Sequence, residues 1–379
     1  MTDHHYPGAQ QATVPTPMQA PPPRRRWWIW AVAAVVVLGL VGGGIVYWKR
    51  SGPHAGQVPA RGEPAVDARG SSLPITVQGD QVMRGGQPWW FAGYNSFVWS
   101  GNCGNPDEKM SKADVDKWFA SMRHDGHGAV RLFFWPGWNI DRLDAAVAAA
   151  KKNGVYVMIT LEDAQSDCGR PGVDASWFDD QDNRDTYQAH MTELLERYKG
   201  EHAIAWFEYF NEPSVSDGKL REFYDQMGAV ADRIDPDRLF SSGTIAPYAF
   251  SSEGSSDQEG AEQFQHVQES PGVDIVSMHE YDDNQIESSH GPPTRTGGAG
   301  KPVIVGEFGV KANADGNGCD ASFATRAQLI NAKLSAYTGK GYAGALLWAW
   351  QPSVGADECD TSNIDVDPDG QHVLRTFVP

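Results

Sequence analysis

AWFEYFNEP, residues 205–213, runs apolar and aromatic for most of its length and then breaks at Asn211, Glu212 and Pro213. A near-continuous apolar run of this size reads as a parallel strand buried on both faces, stopping where the polar residues begin. PVIVGEFG, residues 302–309, has the same plan and ends on Glu307. Working outward, similar segments lie at 89–95, 129–134, 155–161, 204–210, 239–243, 273–278, 303–307 and 344–350, eight in all. Between them the period changes from two to about 3.6. In KADVDKWFASMRH, Val115, Trp118, Phe119 and Met122 recur at three- and four-residue spacing. LDAAVAAAKKN stops at Gly154, and YQAHMTELLERYKG, LREFYDQMGAVADRID and TRAQLINAKLSAYTGKG follow suit. Eight strands alternating with helices over residues 72–379 predict an α/β fold, a single (β/α)8 TIM barrel. PITVQG and QVMRGG ahead of the first strand predict an N-terminal β-hairpin. A doubly wound open sheet is the alternative, but no G-x-G-x-x-G follows the first strand, so its dinucleotide-binding version has no support.

In such a barrel the chemistry sits at the C-terminal ends of the strands. Glu212 and Glu307 each stand where an apolar strand breaks into a loop. Apolar surroundings raise a carboxyl pKa, which suits a general acid. Two carboxyl groups about 5–5.5 Å apart suit a retaining glycosidase, one as nucleophile and the other as acid/base. A single Glu at such a place reads most simply as a salt-bridged loop residue; the pair on two non-adjacent strands does not.

Asn-Glu-Pro after the fourth strand and Val-Gly-Glu-Phe-Gly after the seventh resemble clan A of the glycoside hydrolases, and most closely family 5. The resemblance covers about residues 73–379. It implies Glu212 as acid/base and Glu307 as nucleophile. It also implies that Arg131 in VRLFFW keeps the nucleophile ionised and that Asn211 bonds the substrate 2-hydroxyl. His279 and Tyr281 in MHEY match the family's His-x-Tyr pair, with the tyrosine hydroxyl on the nucleophile. Trp350 in LWAWQ resembles the aromatic platform beneath the sugar. Many members carry a His after the third strand, where this chain reads ITLEDAQ with Glu162 and Asp163. That departs from the closer cellulases. QGDQVMRGGQPWWFAGYN, IDPDRLFSSG and AGALLWAWQ look more like the mannanase branch. The implied activity is retaining hydrolysis of a neutral β-linked glycan by an endo-β-1,4-mannanase, with no cofactor and no metal. A β-1,4-glucanase or exo-β-glycosidase on the same frame is the alternative, and a catalytically inactive glycan-binding barrel is the different class. Asn95, Phe97, Trp99, Trp135 and Trp138 are placed either to line subsites or to pack beneath loops.

Outside the barrel, WWIWAVAAVVVLGLVGGGIVYW, residues 27–48, holds no charge and is long enough for a transmembrane helix with aromatic belts at both ends. Residues 1–26, rich in Pro and Gln and closing on three Arg, read as a disordered cytoplasmic tail, and 49–71 as a flexible linker. These predict a single-pass protein of the cell membrane with the barrel outside the cytoplasm. The alternative is secretion after signal cleavage, though KRSGPHAGQVPARG shows no clear cleavage site.

The formal charge is −18. Residues 1–50 hold five basic residues against one acid and 51–71 balance, so 72–379 carries −22. That charge argues against nucleic acid or a polyanionic substrate as partner. The 14 Trp exceed the needs of a core and suggest surfaces that stack on sugar faces. Cys103, Cys168, Cys319 and Cys359 all follow the apolar span, and their even number fits disulfides in an oxidising space, with buried thiols as the alternative. Of three pairings, Cys103–Cys168 with Cys319–Cys359 keeps partners near each other around the barrel. His279-Glu280 opens a zinc-helix motif whose second His would fall at Asp283. Asp365, Asp367 and Asp369 open a calcium loop whose twelfth position is Thr376, so a plain turn is preferred.

Overall fold

The computed structural model describes residues 72–97, 99, 110–124, 128–166, 171–215, 218–250, 256–281, 299–350 and 355–379, all within the unit Gly56–Pro379. Among them no helix is long and apolar enough to cross a membrane. The predicted tail, transmembrane helix and linker lie outside the described residues, as do Cys103 and Cys168.

Strands β1 (Ile75–Gln78), β2 (Gln81–Arg84) and β3 (Gln87–Pro88) form an antiparallel meander, one strand more than the predicted hairpin. The barrel strands are β4 (Phe91–Ser96), β5 (Ala129–Phe133), β6 (Tyr156–Thr160), β7 (Ile204–Glu208), β8 (Phe240–Ser241), β9 (Val276–Glu280), β10 (Val303–Phe308) and β13 (Gly344–Leu347). They make one parallel sheet in the order β8-β7-β6-β5-β4-β13-β10-β9. Its two edges meet through the Ser241–Ile275 bridge and the Asp274 N–H to Phe240 carbonyl bond of 2.9 Å, so the sheet is a nearly closed barrel. A small parallel pair, β11 (Ala312–Asn313) with β12 (Ala321–Ser322), lies in the β10–β13 connection.

Each predicted strand is present, and several are apolar runs buried on both faces. One face packs outward with Val130, Leu132, Val157, Phe207, Val276, Met278 and Val305 under the helices. The other fills the barrel with Phe91, Met158, Trp206, Ile304 and Leu346, and the meander's Ile75 and Val82 join that interior cluster. The meander therefore seals the end of the barrel away from the strand C-termini.

The helices are α1 (Lys112–His124), α2 (Ile140–Asn153), α3 (Ala175–Asp179), α4 (Gln181–Arg197), α5 (Lys219–Ile234), α6 (Asp257–Gln268), α7 (Phe323–Gly339) and α8 (Pro368–Thr376). Helix α2 ends on Gly154 in the left-handed conformation, as its sequence predicts. The acidic run at 365–370 is a helix start: Asp367 caps α8 through the Gly370 N–H and bonds the buried Arg326 at 2.9 Å.

Cys319 and Cys359 form a disulfide, with Cα atoms 5.4 Å apart, at the β10–β13 side of the mouth. Among the described residues, seven of ten tryptophans are core. Trp89, Trp99, Trp118, Trp135, Trp177, Trp206 and Trp350 are buried, which corrects the reading of the Trp surplus as stacking surface.

Candidate active site

Two backbone irregularities aim the acidic pair. Beyond β7 the chain keeps pairing for a few residues, with the Asn211 N–H on the Glu162 carbonyl at 2.8 Å. It then turns at Glu212, whose φ of +56° lies in the left-handed region that non-glycine residues avoid. The Glu212 N–H on the Gly243 carbonyl at 2.9 Å and the Gln165 amide on the Glu212 carbonyl at 2.7 Å hold that turn. Gly243 itself passes so close that a Cβ there would sit 1.8 Å from the Phe210 carbonyl oxygen.

On the opposite side, the β9–β10 register shifts between Val305 and Glu307. Gly306 occupies the shift, where a Cβ would lie 2.3 Å from Ser277 Oγ. Irregularities of this kind re-aim side chains, and here the result points Glu307 into the mouth. One oxygen each of Glu212 and Glu307 and a ring nitrogen of His279 lie within 4.8 Å of one another.

Arg131, 1% exposed on β5, ties the floor of the site together. Its Nη1 donates to Glu307 Oε1 at 2.6 Å and to Asn95 Oδ1 at 3.0 Å. Its Nη2 donates to Asn211 Oδ1 at 3.0 Å, and its Nε to Glu208 Oε1 at 2.6 Å. Glu208 also accepts from Thr160 at 3.0 Å and Ser241 at 2.9 Å. Burial opposes the charge on Arg131, but Glu208 and Glu307 outweigh it and raise its pKa. Asn211 is fixed at both ends, since its Nδ2 donates to Asp163 Oδ1 at 3.1 Å.

His279 and Tyr281 reach the acids from β9 and the residue after it. Tyr281 donates to Glu307 Oε2 at 2.7 Å, and His279 Nδ1 lies 2.7 Å from Glu212 Oε1. The electrostatics differ from the expected apolar elevation at Glu212. Burial does push its pKa up, but the His279 hydrogen bond, the His279 charge and Arg131 together carry it below the ordinary value. His279 moves the other way: burial works against its charge, and Glu307 and Glu212 raise its pKa. The hydrogen bond between the two thus lowers one pKa and raises the other.

Of the residues predicted from sequence, the structure brings Glu212, Glu307, Arg131, Asn211, His279, Tyr281 and Asn95 into this one network. Asn95 is fully buried and braces Gly306 through a 2.9 Å bond to its carbonyl. Trp350 is corrected. It is 9% exposed, sits edge-on to Tyr94 at 4.9 Å and belongs to the core outside the barrel. Trp348 is the partly exposed tryptophan after β13, stacked on Phe97 at 5.8 Å and edge-on to Phe133 at 6.0 Å. Trp135 is buried between Phe133 and Trp138, and Trp99 packs on Phe134, so both support loops. Glu208 was not among the predicted site residues. Its signal was present: a charge inside an otherwise apolar, doubly buried strand needs a partner, and Arg131 is the matching charge two strands away.

The trio Glu212, His279 and Glu307 is also the grouping, among the described residues, whose ligand atoms converge closely enough for a metal ion. Nothing in a two-carboxylate reaction routes through one.

The family model described as Cellulase (glycosyl hydrolase family 5) matches residues 86–353. The chain is 25% identical over 201 residues to the "Probable mannan endo-1,4-beta-mannosidase F" of Aspergillus flavus, covering 46% of this chain and 42% of that protein. It thus spans about two fifths of the length of that relative. It is 24% identical over 324 residues to the mannan endo-1,4-beta-mannosidase A of Emericella nidulans, covering 73% of this chain and 78% of the relative. Among solved structures, the glycoside hydrolase family 5 mannosidase from Rhizomucor miehei superposes with a TM-score of 0.57 at 13% identity, covering 82% of this chain and 100% of that one. That structure shares the fold. With its model matching 268 of 379 residues, this chain belongs to glycosyl hydrolase family 5.

Proposed function

We propose that the barrel is a retaining endo-β-1,4-mannanase. The observation that carries the retaining mechanism is the closeness of Glu212 and Glu307, an oxygen of each lying within 4.8 Å of the other, as suits carboxyl groups that leave no room for a water between them. Glu307, with Arg131 and Tyr281 on its two oxygens, is the group that attacks the anomeric carbon. Glu212, hydrogen-bonded to His279, gives a proton to the leaving oxygen and then takes one from the water that releases the sugar. Asn211, its amide fixed between Arg131 and Asp163, presents its remaining N–H to a ring hydroxyl. Trp348 offers a face on which the apolar side of a pyranose stacks.

Mannan as the polymer is supported by the names of the two curated relatives. A β-1,4-glucanase is the second reading, favoured by the description of the matching family model. A hydrolysis screen on mannan, glucomannan, cellulose, xylan and β-1,3-glucan separates them. Proton NMR of the first product should show the β-anomer. Glu307→Ala should abolish hydrolysis; a variant that kept it would end the assignment. From sequence alone, we further propose that residues 27–48 anchor the barrel outside the cytoplasm. An alkaline wash of membranes should leave the full chain in the pellet, whereas a cleaved, secreted chain would appear in the medium.

A further inference from the structure

Behind the site, on the far face of β9, lies a second buried charged group that the proposed reaction does not use. Side chains of β9 alternate. Val276 and Met278 pack under the helices, whereas His279 turns to the mouth. Glu280 therefore faces the helical layer, 5% exposed, directly between His279 and Tyr281 in the chain. Its two carboxylate oxygens each accept from Lys333 Nζ at 2.9 Å, and Oε2 also accepts from the Tyr337 hydroxyl. Lys333 is 1% and Tyr337 4% exposed, and both stand one turn apart on the same side of α7.

A buried ion pair of this kind adds little net stability, because desolvation offsets its attraction; apolar residues of similar size often hold a fold as well. What it supplies is direction: a carboxylate held by three hydrogen bonds from two donor groups fixes the strand end in one place. The placement matters because α7 follows the strand of Glu307 and leads to β13, whose last residue, Leu347, precedes Trp348. Next to it, Glu307 pairs with His279 and Phe308 with Glu280 across the β9–β10 ladder.

We propose that Glu280, gripped by Lys333 and Tyr337, is a positioning residue that sets His279 against Glu212 and Tyr281 against Glu307. The proposal rests on the catalytic reading of those acids. Its test is the triple variant Glu280→Leu, Lys333→Met, Tyr337→Phe, which replaces the whole group by apolar side chains and leaves no orphaned charge. Kinetics on an activated aryl β-mannoside are read well below the melting temperature of every protein. The triple variant should melt within a few degrees of the wild type, lose about tenfold in kcat and keep KM within twofold. A triple variant with wild-type kcat would overturn the proposal and leave the group as packing. If the triple variant does not fold, Tyr337→Phe alone removes one of the three hydrogen bonds. It should then lower kcat about threefold at unchanged KM, and an unchanged kcat would again overturn the proposal. An inactive wild type on every glycan is a separate result that removes the catalytic reading beneath it.

Discussion

Replacing Arg131 by lysine isolates the contribution of the guanidinium fork from that of its charge. Arg131 makes four side-chain hydrogen bonds, to Glu208, Asn95, Glu307 and Asn211, from three nitrogens splayed across the floor of the barrel. A lysine ammonium has three donors on one atom and cannot reach four acceptors spread over three strand ends. With its charge kept near Glu208 and Glu307, it would drop at least the two amide partners. Hydrogen bonds to a charged group contribute roughly 1.5–3 kcal/mol each, so the loss is at least about 3 kcal/mol. Part of it is the cost of leaving Asn95 and Asn211 oxygens buried without their donor. If that loss falls on the transition state, kcat/KM drops by about 100-fold. The assay is kcat/KM for wild type and Arg131→Lys on the best substrate of the glycan screen, with a thermal melt in parallel. A lysine variant within threefold of wild type and equally stable would refute the idea that the fork geometry holds the site together.

Trp348→Ala should lower kcat/KM at least tenfold with little change in melting temperature, whereas Trp350→Ala should cost about 3–5 kcal/mol of stability by opening a core cavity; the reverse pattern in kinetics and melts would restore Trp350 as the platform. Asp274, whose carboxylate accepts from the Phe240 N–H at 2.8 Å, has its pKa pushed up to about 6 from 3.8, chiefly by burial. A folded pKa above the unfolded one means that the native state binds the extra proton, so this contribution is fully present below about pH 4 and is lost as pH rises through about 6. Asp274→Asn should therefore gain on the order of 2 kcal/mol over wild type at pH 8 and almost nothing at pH 4; a gain that is equal at both pH values in paired melts would contradict this. Replacing Cys319 and Cys359 together by Ser removes a cross-link across 40 residues, which the chain-entropy relation puts at about 4 kcal/mol, and an unchanged denaturation midpoint would show that the loop is held by other contacts.

The barrel was readable because burial on both faces writes a strand as an apolar run, and helices at the same scale carry a different period. Where a segment carried less apolar signal, the reading thinned. Helix α6 offers the apolar Phe264 and Val267 to the core, and its start is fixed by a capping box of Ser256 and Glu259. The third strand of the N-terminal meander is two residues long and ends in proline, too short for any periodicity. Trp348 and Trp350 illustrate a different limit. Both lie an even number of residues from Leu346, so strict alternation gives them the same face. The strand stops at Leu347, and past it alternation no longer runs. The chain then places one ring toward the mouth and packs the other against Tyr94 outside the barrel. The expected elevation of the Glu212 pKa failed for a similar reason: apolar neighbours are visible in sequence, but a histidine 67 residues away becomes a neighbour only in the fold.

The charges explain why Arg131 has two carboxylates rather than one. Glu307 alone would satisfy a single guanidinium and leave the floor of the site neutral. Glu208, buried and bound by Thr160 and Ser241 as well, adds a second acid to the same guanidinium. In the set of Arg131, His279, Glu208, Glu212 and Glu307, three acids face two basic groups. Glycoside cleavage passes through a transition state with positive charge on the sugar ring. In a water-poor cleft, fixed negative charge aimed at that position favours the transition state over the neutral substrate. Glu208 thus has two consequences from one set of bonds: it holds the arginine that positions Glu307, and it keeps the arginine from cancelling the field that the reacting sugar needs.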